Sequence, residues 1–292
     1  MPWLQLELEA TPDSAEQLSE LLHATGAAAV TLQDAADQPL FEPPLGTTPL
    51  WNTTRVIGLF AADTDIPAVL ASLQQQLAPD PLPAWHLNPL EDRDWVRAWM
   101  DDFQPMRFGE HLWICPSGYT PPEPQAVNIL LDPGLAFGTG THPTTAMCLR
   151  WLDAHAPQGL TVIDYGCGSG ILAIAACKLG VRHAIGVDTD PQALLATHDN
   201  AEKNQVGDCI DVYLPADFQS QPVPLLLANI LAGPLQSLAP RFSELVEPAG
   251  HIVLSGILAE QAELVMQQYQ TAFDIQLVDQ QEDWVCLAGR RR

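Results

Sequence analysis

Positive charge is scarce in this chain. Twelve Lys and Arg stand against 36 Asp and Glu, a formal net charge of −24 over 292 residues. Such a surface repels a phosphate backbone and disfavours direct nucleic-acid binding, while the same field attracts basic partners. Metal-ligand spacing is absent as well. Cys115, Cys148, Cys167, Cys177, Cys209 and Cys286 form no CxxC pair, and no His pair sits at helical ligand spacing. Neither a metal site nor a disulfide framework is expected, and the six cysteines read as reduced thiols. The opening MPWLQLELEA carries acids where a secretory signal needs basic residues. The longest apolar run, around LLLANILAGPL, is broken by Asn229 and Pro234 and is too short to span a bilayer. Heptads are missing too, and with them any obvious apolar interface. The expectation is a soluble, cytoplasmic, monomeric protein with no membrane partner.

Apolar residues make up 47% of the chain and charged residues 16%, which places it among globular proteins. Its length suffices for two domains. In residues 1–90 WLQLELE alternates as a half-buried strand, and TPDSAEQLSELLHATG reads as a capped helix with Leu18, Leu21 and Leu22 on one face, stopped at Gly26. AAVTLQDA and RVIGLFA read as strands, DIPAVLASLQQQL as a helix and AWHLNPLE as a fourth strand. The order βαββαβ predicts a small ferredoxin-like α+β domain. Nothing in it suggests catalytic chemistry, so it is expected to dock a partner.

Residues 91–125 read as a bridge. EDRDWVRAWMDDF predicts a short amphipathic helix whose Trp95 and Trp99 pack against a core, and HLWICP predicts a strand. From residue 126 to 292 strands and helices alternate, which predicts a parallel sheet with helices on both faces. FDIQLVD and WVCLAGR close the chain with no helix between them and should form an antiparallel hairpin at the sheet edge.

Two glycine-rich stretches stand close together, LDPGLAFGTGTHPTT at 131–145 and DYGCGSG at 164–170. The second follows the strand TVID and opens the helix GILAIAACKLG. Gly166, Gly168 and Gly170 let backbone approach a ligand, and the helix N-terminus offers free amides. Asp188 ends the next strand, where a carboxylate suits the two hydroxyls of a ribose. The spacing is GxGxG, not the GxGxxG of dinucleotide sites, and Asp164 precedes it. A carboxylate there repels a pyrophosphate and welcomes a cation such as the ammonium or sulfonium of S-adenosyl-L-methionine. At the end of a later strand, Asn229 in LLLANILAGPL sits where open α/β sheets bind ligands. It resembles the Asp/Asn-Pro-Pro-Tyr/Phe corner of amino-group methyltransferases, with Ile230, Leu231 and Ala232 in place of the prolines and the aromatic. Without the aromatic plate, an aliphatic amine is favoured over a flat base or amide.

Together, LDPGLAFGTGTHPTT, IDYGCGSGILAIAA, GVDTDPQAL and ANILAGPL resemble the bacterial methyltransferases of the eleventh protein of the large ribosomal subunit. The first string is specific to that family; the glycine turn is shared by most S-adenosylmethionine-dependent methyltransferases. The likeness extends over essentially the whole chain. It implies a seven-stranded class I (Rossmann-like) methyltransferase domain behind a ferredoxin-like domain that grips the substrate. It implies cofactor contacts at Thr145, Gly166, Asp188 and Asn229, and methyl transfer to lysine side chains and the terminal α-amine of one basic ribosomal protein. On this reading the 131–145 loop covers the cofactor from one side, with Phe137 as a candidate wall, and Asn229 positions the amine. His142, between Thr141 and Pro143, reads as a structural histidine rather than a general base. Three other readings stand beside this one. They are a methyltransferase for another protein, RNA or small-molecule amine, an NAD-dependent oxidoreductase, and a non-enzymatic assembly factor.

Overall fold

The structure is a computed structural model that describes residues 3–36, 38, 40, 47–90, 104–132, 140–219 and 221–292. The chain divides into two compact units, Met1–Ala98 and Trp99–Arg292.

In the first unit β1 (Trp3–Ala10), α1 (Pro12–Ala24), β2 (Ala29–Asp34), β3 (Thr54–Ala61), α2 (Ile66–Leu77) and β4 (Trp85–Leu90) follow one another. The strands form an antiparallel sheet in the order β2-β3-β1-β4, the ferredoxin-like arrangement expected from the pattern. Alternation along β1 sends Leu6, Leu8 and Ala10 inward, where they meet Val56 and Phe60 of β3, Leu18 and Leu22 of α1 and Leu73 of α2. Helix α1 begins where Pro12 fixes φ and Thr11 N donates to Ser14 Oγ at 3.0 Å. Helix α2 begins at Asp65, whose Oδ1 accepts from Ala68 N at 3.1 Å. Leu21, expected beside Leu18 and Leu22, is only partly buried.

The second unit opens with a three-stranded sheet of β5 (Met106–Phe108), β6 (Leu112–Cys115) and β7 (Val127–Leu130), so the strand expected at HLWICP has two partners. The predicted helix with Trp95 and Trp99 lies outside the described residues. Then follow α3 (Pro143–His155), β8 (Thr161–Tyr165), α4 (Ile171–Lys178), β9 (His183–Val187), α5 (Pro191–Lys203), β10 (Ile210–Tyr213), β11 (Val223–Asn229), α6 (Ala232–Leu245), β12 (Val246–Leu258), α7 (Ala262–Tyr269), β13 (Phe273–Gln281) and β14 (Trp284–Arg291). They build a seven-stranded sheet in the order β10-β9-β8-β11-β12-β14-β13. The closing hairpin pairs as expected, with β14 against β12 and β13 outermost.

Apolar side chains of α3 and α4 pack on one face of this sheet and those of α6 and α7 on the other. Leu225, Leu226, Leu227 and Ala228 of β11 are all buried because both faces are covered, which is why the strand reads as a continuous apolar run. The chain winds outward from β8 through β9 to β10, then returns to place β11 on the other side of β8. That reversal leaves a crevice at the carboxyl ends of β8 and β11.

The expectation of six reduced thiols does not hold. Cys177, at the last turn of α4, and Cys209, in the short helical turn before β10, form a disulfide across 32 residues of sequence. Spacing along the chain could not show this pairing, because β9 and α5 lie between the two positions and folding brings them together. Cys115, Cys148, Cys167 and Cys286 are free and buried.

Candidate functional site

Every strand-end residue singled out in the sequence lies at the carboxyl edge of three neighbouring strands. Asp164 is the penultimate residue of β8, Asp188 directly follows β9, and Asn229 is the last residue of β11. In the β8–β11 pairing Leu227 lies opposite Asp164, so Asn229 stands two residues further toward the edge.

The glycine turn wraps over this edge. Gly166, Gly168 and Gly170 all have left-handed φ, at +83°, +54° and +80°. At Gly166 a Cβ would lie 2.2 Å from Ile230 Cγ2, so only glycine lets the turn lie against the residue after β11. Gly170 opens α4, and a Cβ there would meet Thr197 of α5 at 2.7 Å. Gly168 N donates to Asp188 Oδ2 at 2.9 Å, and Asp190 N to Asp188 Oδ1 at 3.0 Å, which orients that carboxylate at the head of α5. The three glycines and Asp188 are thereby brought into one structure.

Asp164 is 1% exposed. Its Oδ2 accepts from Ala173 N in the first turn of α4 at 3.0 Å, and its Oδ1 is buried with no partner. Burial pushes the carboxyl up to about 7, opposed by the Ala173 N–H and reinforced by the Asp188 charge. A buried carboxyl oxygen without a donor is a place for a positively charged or N–H-bearing group.

Asn229 pairs with Thr145. Its Nδ2 donates to Thr145 Oγ1 at 3.1 Å, while its Oδ1 is buried and unpartnered. Thr145 is fully buried in α3, so it meets the site through Asn229. His142 caps α3, its Nδ1 lying 2.8 Å from Thr144 Oγ1 and accepting from Thr144 N at 3.4 Å. Its ring packs edge-on against Trp284, with centroids 4.9 Å apart. Burial holds the imidazole below its usual range, with Glu282 opposing, so it stays neutral and able to accept. This is the structural role expected of it. Phe137 lies outside the described residues.

The structure adds groups that the sequence reading passed over. Thr197 Oγ1 donates to Gly168 O at 3.1 Å and Asn200 Nδ2 to Ser169 O at 2.9 Å, so α5 braces the turn from behind. The polar spacing within PQALLATHDNAEKN was the available signal.

The arrangement thus holds two unpartnered buried acceptors, a ribose-competent carboxylate and a glycine cradle at one strand edge. The profile of the family described as Ribosomal protein L11 methyltransferase (PrmA) matches residues 2–292. The chain belongs to this family. A ribosomal protein L11 methyltransferase of Pseudomonas paraeruginosa is 56% identical over 293 residues, covering 100% of this chain and 99% of the relative. One of Azotobacter vinelandii is 54% identical, covering 100% of both chains. The crystal structure of the ribosomal protein L11 methylase of Lactobacillus delbrueckii subsp. bulgaricus superposes with a TM-score of 0.57 at 32% identity, covering 65% of this chain and 100% of that one. The family's seven-stranded α/β methyltransferase domain and the small α+β domain before it are both present here. Among the described residues no cluster of His, Cys, Asp and Glu could hold a metal, and no helix is long and apolar enough to cross a membrane.

Proposed function

We propose that this chain transfers methyl groups from S-adenosyl-L-methionine to amines of the eleventh large-subunit ribosomal protein, on lysine side chains and the terminal α-amine. The observation that carries this reading is the pair of buried, unpartnered oxygens, Asp164 Oδ1 and Asn229 Oδ1, at the ends of adjacent strands. One is a carboxyl suited to a cationic cofactor. The other is a neutral amide oxygen suited to an amine N–H.

These residues fit the cofactor. Asp164 would face its positive charge, Asp188 its ribose hydroxyls, and Gly166 and Gly168 would admit it against backbone. When bound it supplies a methyl on a sulfonium, which needs no metal to be electrophilic. The protein's own task is the nucleophile. A lysine of ordinary pKa about 10.4 costs roughly 4 to 5 kcal/mol to deprotonate at pH 7. A water-excluding pocket lowers that cost. Asn229 then orients the neutral amine through Oδ1, and Thr145 keeps the amide turned that way, a proximity effect without an obligatory acid–base residue. Ile230 and Leu231 follow Asn229 in place of an aromatic plate, which suits an aliphatic amine.

The acidic chain fits a basic protein substrate, and we assign its docking to the ferredoxin-like domain, residues 1–90, with 91–125 as the bridge to the catalytic domain, 126–292. We place the reaction in the cytoplasm and take the active species to be a monomer that touches neither nucleic acid nor membrane.

The test mixes purified protein with methyl-labelled S-adenosylmethionine and ribosomal proteins from cells lacking the enzyme, then weighs each protein intact. One protein, the eleventh of the large subunit, should gain mass in single-methyl steps. Cofactor binding without label in any ribosomal protein would overturn the substrate.

A further inference from the structure

Thr197 and Asn200 of helix α5 and Asn204, which caps its C-terminus, fall in one stripe, at i, i+3 and i+7. Each reaches the backbone of another segment. Thr197 and Asn200 hold the carbonyls of Gly168 and Ser169 in the glycine turn. Asn204 reaches elsewhere. Its Oδ1 accepts from Leu130 N at 2.8 Å, and its Nδ2 donates to Leu130 O at 2.7 Å and to Asn200 O at 2.9 Å. Leu130 ends β7, the outer strand of its sheet, so the Asn204 amide pairs the strand's open edge as another strand would.

The neighbouring residues tighten the same join. Lys203 Nζ lies 3.9 Å from Asp132 Oδ2, and Asp132 also accepts from Ser117 N and Ser117 Oγ, both at 2.6 Å. At Gly140 a Cβ would lie 3.5 Å from Ile171, the first residue of α4. Leu130 and Asp132 are thereby tied to the C-terminal end of α5, and Gly140 stands beside the helix that the glycine turn opens.

Asn204 is 3% exposed, and its oxygen and both amide protons are used. Burying an amide costs desolvation that an apolar residue would avoid. What the amide adds is a fixed placement of one backbone segment relative to another. We propose that the Thr197–Asn200–Asn204 stripe is a positioning device for cofactor binding, holding Leu130–Asp132 and Gly168–Ser169 at one separation, with Asn204 its key residue. The proposal rests on the cofactor reading above.

The test compares cofactor affinity with stability. Calorimetric titration with S-adenosylmethionine, steady-state kinetics and thermal melts are run on wild type and on N204A, T197V and T197S. Thr197→Val keeps the shape and removes the hydroxyl; Thr197→Ser keeps the hydroxyl. Tyr269→Phe on α7 is the control, since it deletes a buried hydrogen bond, from Tyr269 Oη to Leu235 O at 2.7 Å, on the other face of the sheet. We expect Kd and KM for the cofactor to rise about tenfold in N204A and about threefold in T197V, with kcat at saturating cofactor changed less. T197S should recover most of the affinity that T197V loses, and Y269F should lower Tm with cofactor Kd unchanged. If N204A and T197V both melt earlier yet bind the cofactor as wild type does, the stripe only supports the fold and the proposal is wrong. Should N204A fail to fold, the T197V and T197S pair decides alone. Wild-type protein that binds no cofactor overturns the underlying reading, and the inference with it.

Discussion

Asn229 Nδ2 donates to Thr145 Oγ1 across 84 residues of sequence, which leaves Asn229 Oδ1 buried and free of any partner. The amide is placed with its nitrogen toward Thr145 and its oxygen left to accept. Thr145→Val keeps the shape and removes the acceptor. The rate of methyl transfer at saturating substrates should fall about 3- to 10-fold, the worth of one lost hydrogen bond. Asn229→Ala should cost about 10²-fold, as removal of a positioned polar group does. Single-turnover measurements check both, and equal losses in the two variants would show that Thr145 contributes more than orientation.

Cofactor binding should be sensitive to pH through Asp164. Burial raises its folded pKa to about 7, while in the unfolded chain the group titrates near 3.9. Between those values the folded protein retains a proton that the unfolded chain has lost. The protonated carboxyl thus contributes its full stability below about pH 4, and that contribution is lost as pH rises through about 7. Asp188 faces it as a charge; the Cys148 and Cys167 thiols nearby are raised, Cys148 chiefly by its hydrogen bond with Cys286 and Cys167 by burial, to about 12 for Cys167, so both stay protonated. A bound cation favours ionised Asp164, so cofactor binding near pH 6 should release a proton and near pH 8.5 should release none. Calorimetry in buffers of different ionisation enthalpy measures this. Identical enthalpies at pH 6, or proton release surviving in Asp164→Asn, would remove Asp164 from the account.

Gly166 has φ +83° and would place a Cβ 2.2 Å from Ile230 Cγ2. Gly166→Ala combines backbone strain of about 1 to 3 kcal/mol with that clash. Stability should drop by at least this much and cofactor affinity should fall with it. Adding Ile230→Ala removes the clash and leaves the strain, so the double variant should melt between the single variant and wild type. A double variant no more stable than Gly166→Ala would place the whole penalty in the backbone.

His142 should matter to folding rather than to chemistry. His142→Ala removes the cap of α3 and should cost about 1 kcal/mol, most of which His142→Asn restores. Because burial lowers its pKa, the cap contributes above the ordinary histidine range and is lost as pH falls through the depressed folded value. Denaturant titrations at pH 5 and pH 8 should show a smaller His142→Ala penalty at pH 5, where His142→Asn should be at least as stable as wild type. An essential histidine, revealed by a rate collapse in His142→Asn at pH 8 with cofactor bound, would overturn the mechanism proposed here.

Much of this site was legible in the chain because its requirements are local. Gly166, Gly168 and Gly170 announce positive φ at the head of a helix, and Asp164 and Asp188 fall at strand ends that the alternation of elements locates. The ferredoxin-like order of the first unit and the closing hairpin follow from periodicity and from a missing helix. Other features were silent. Asn204 looks like an ordinary helix-end asparagine until Leu130 is placed beside it, 74 residues away in sequence. The Cys177–Cys209 pair and the Cys148–Cys286 contact are likewise products of packing.

The sequence by itself determined most of the helices and strands, though not the short β5 and β7, together with where backbone must approach closely and which carboxylates and amides stand at strand ends. Those properties belong to single residues and to their near neighbours. Only the tertiary structure decided that the Asn229 amide pairs with Thr145, that Asp164 is dry enough to rise to about 7, and that Asn200 and Asn204 reach the glycine turn and the end of β7. Hydrogen-bond partners and burial are relations between distant segments, and they exist only once the sheet has brought those segments together.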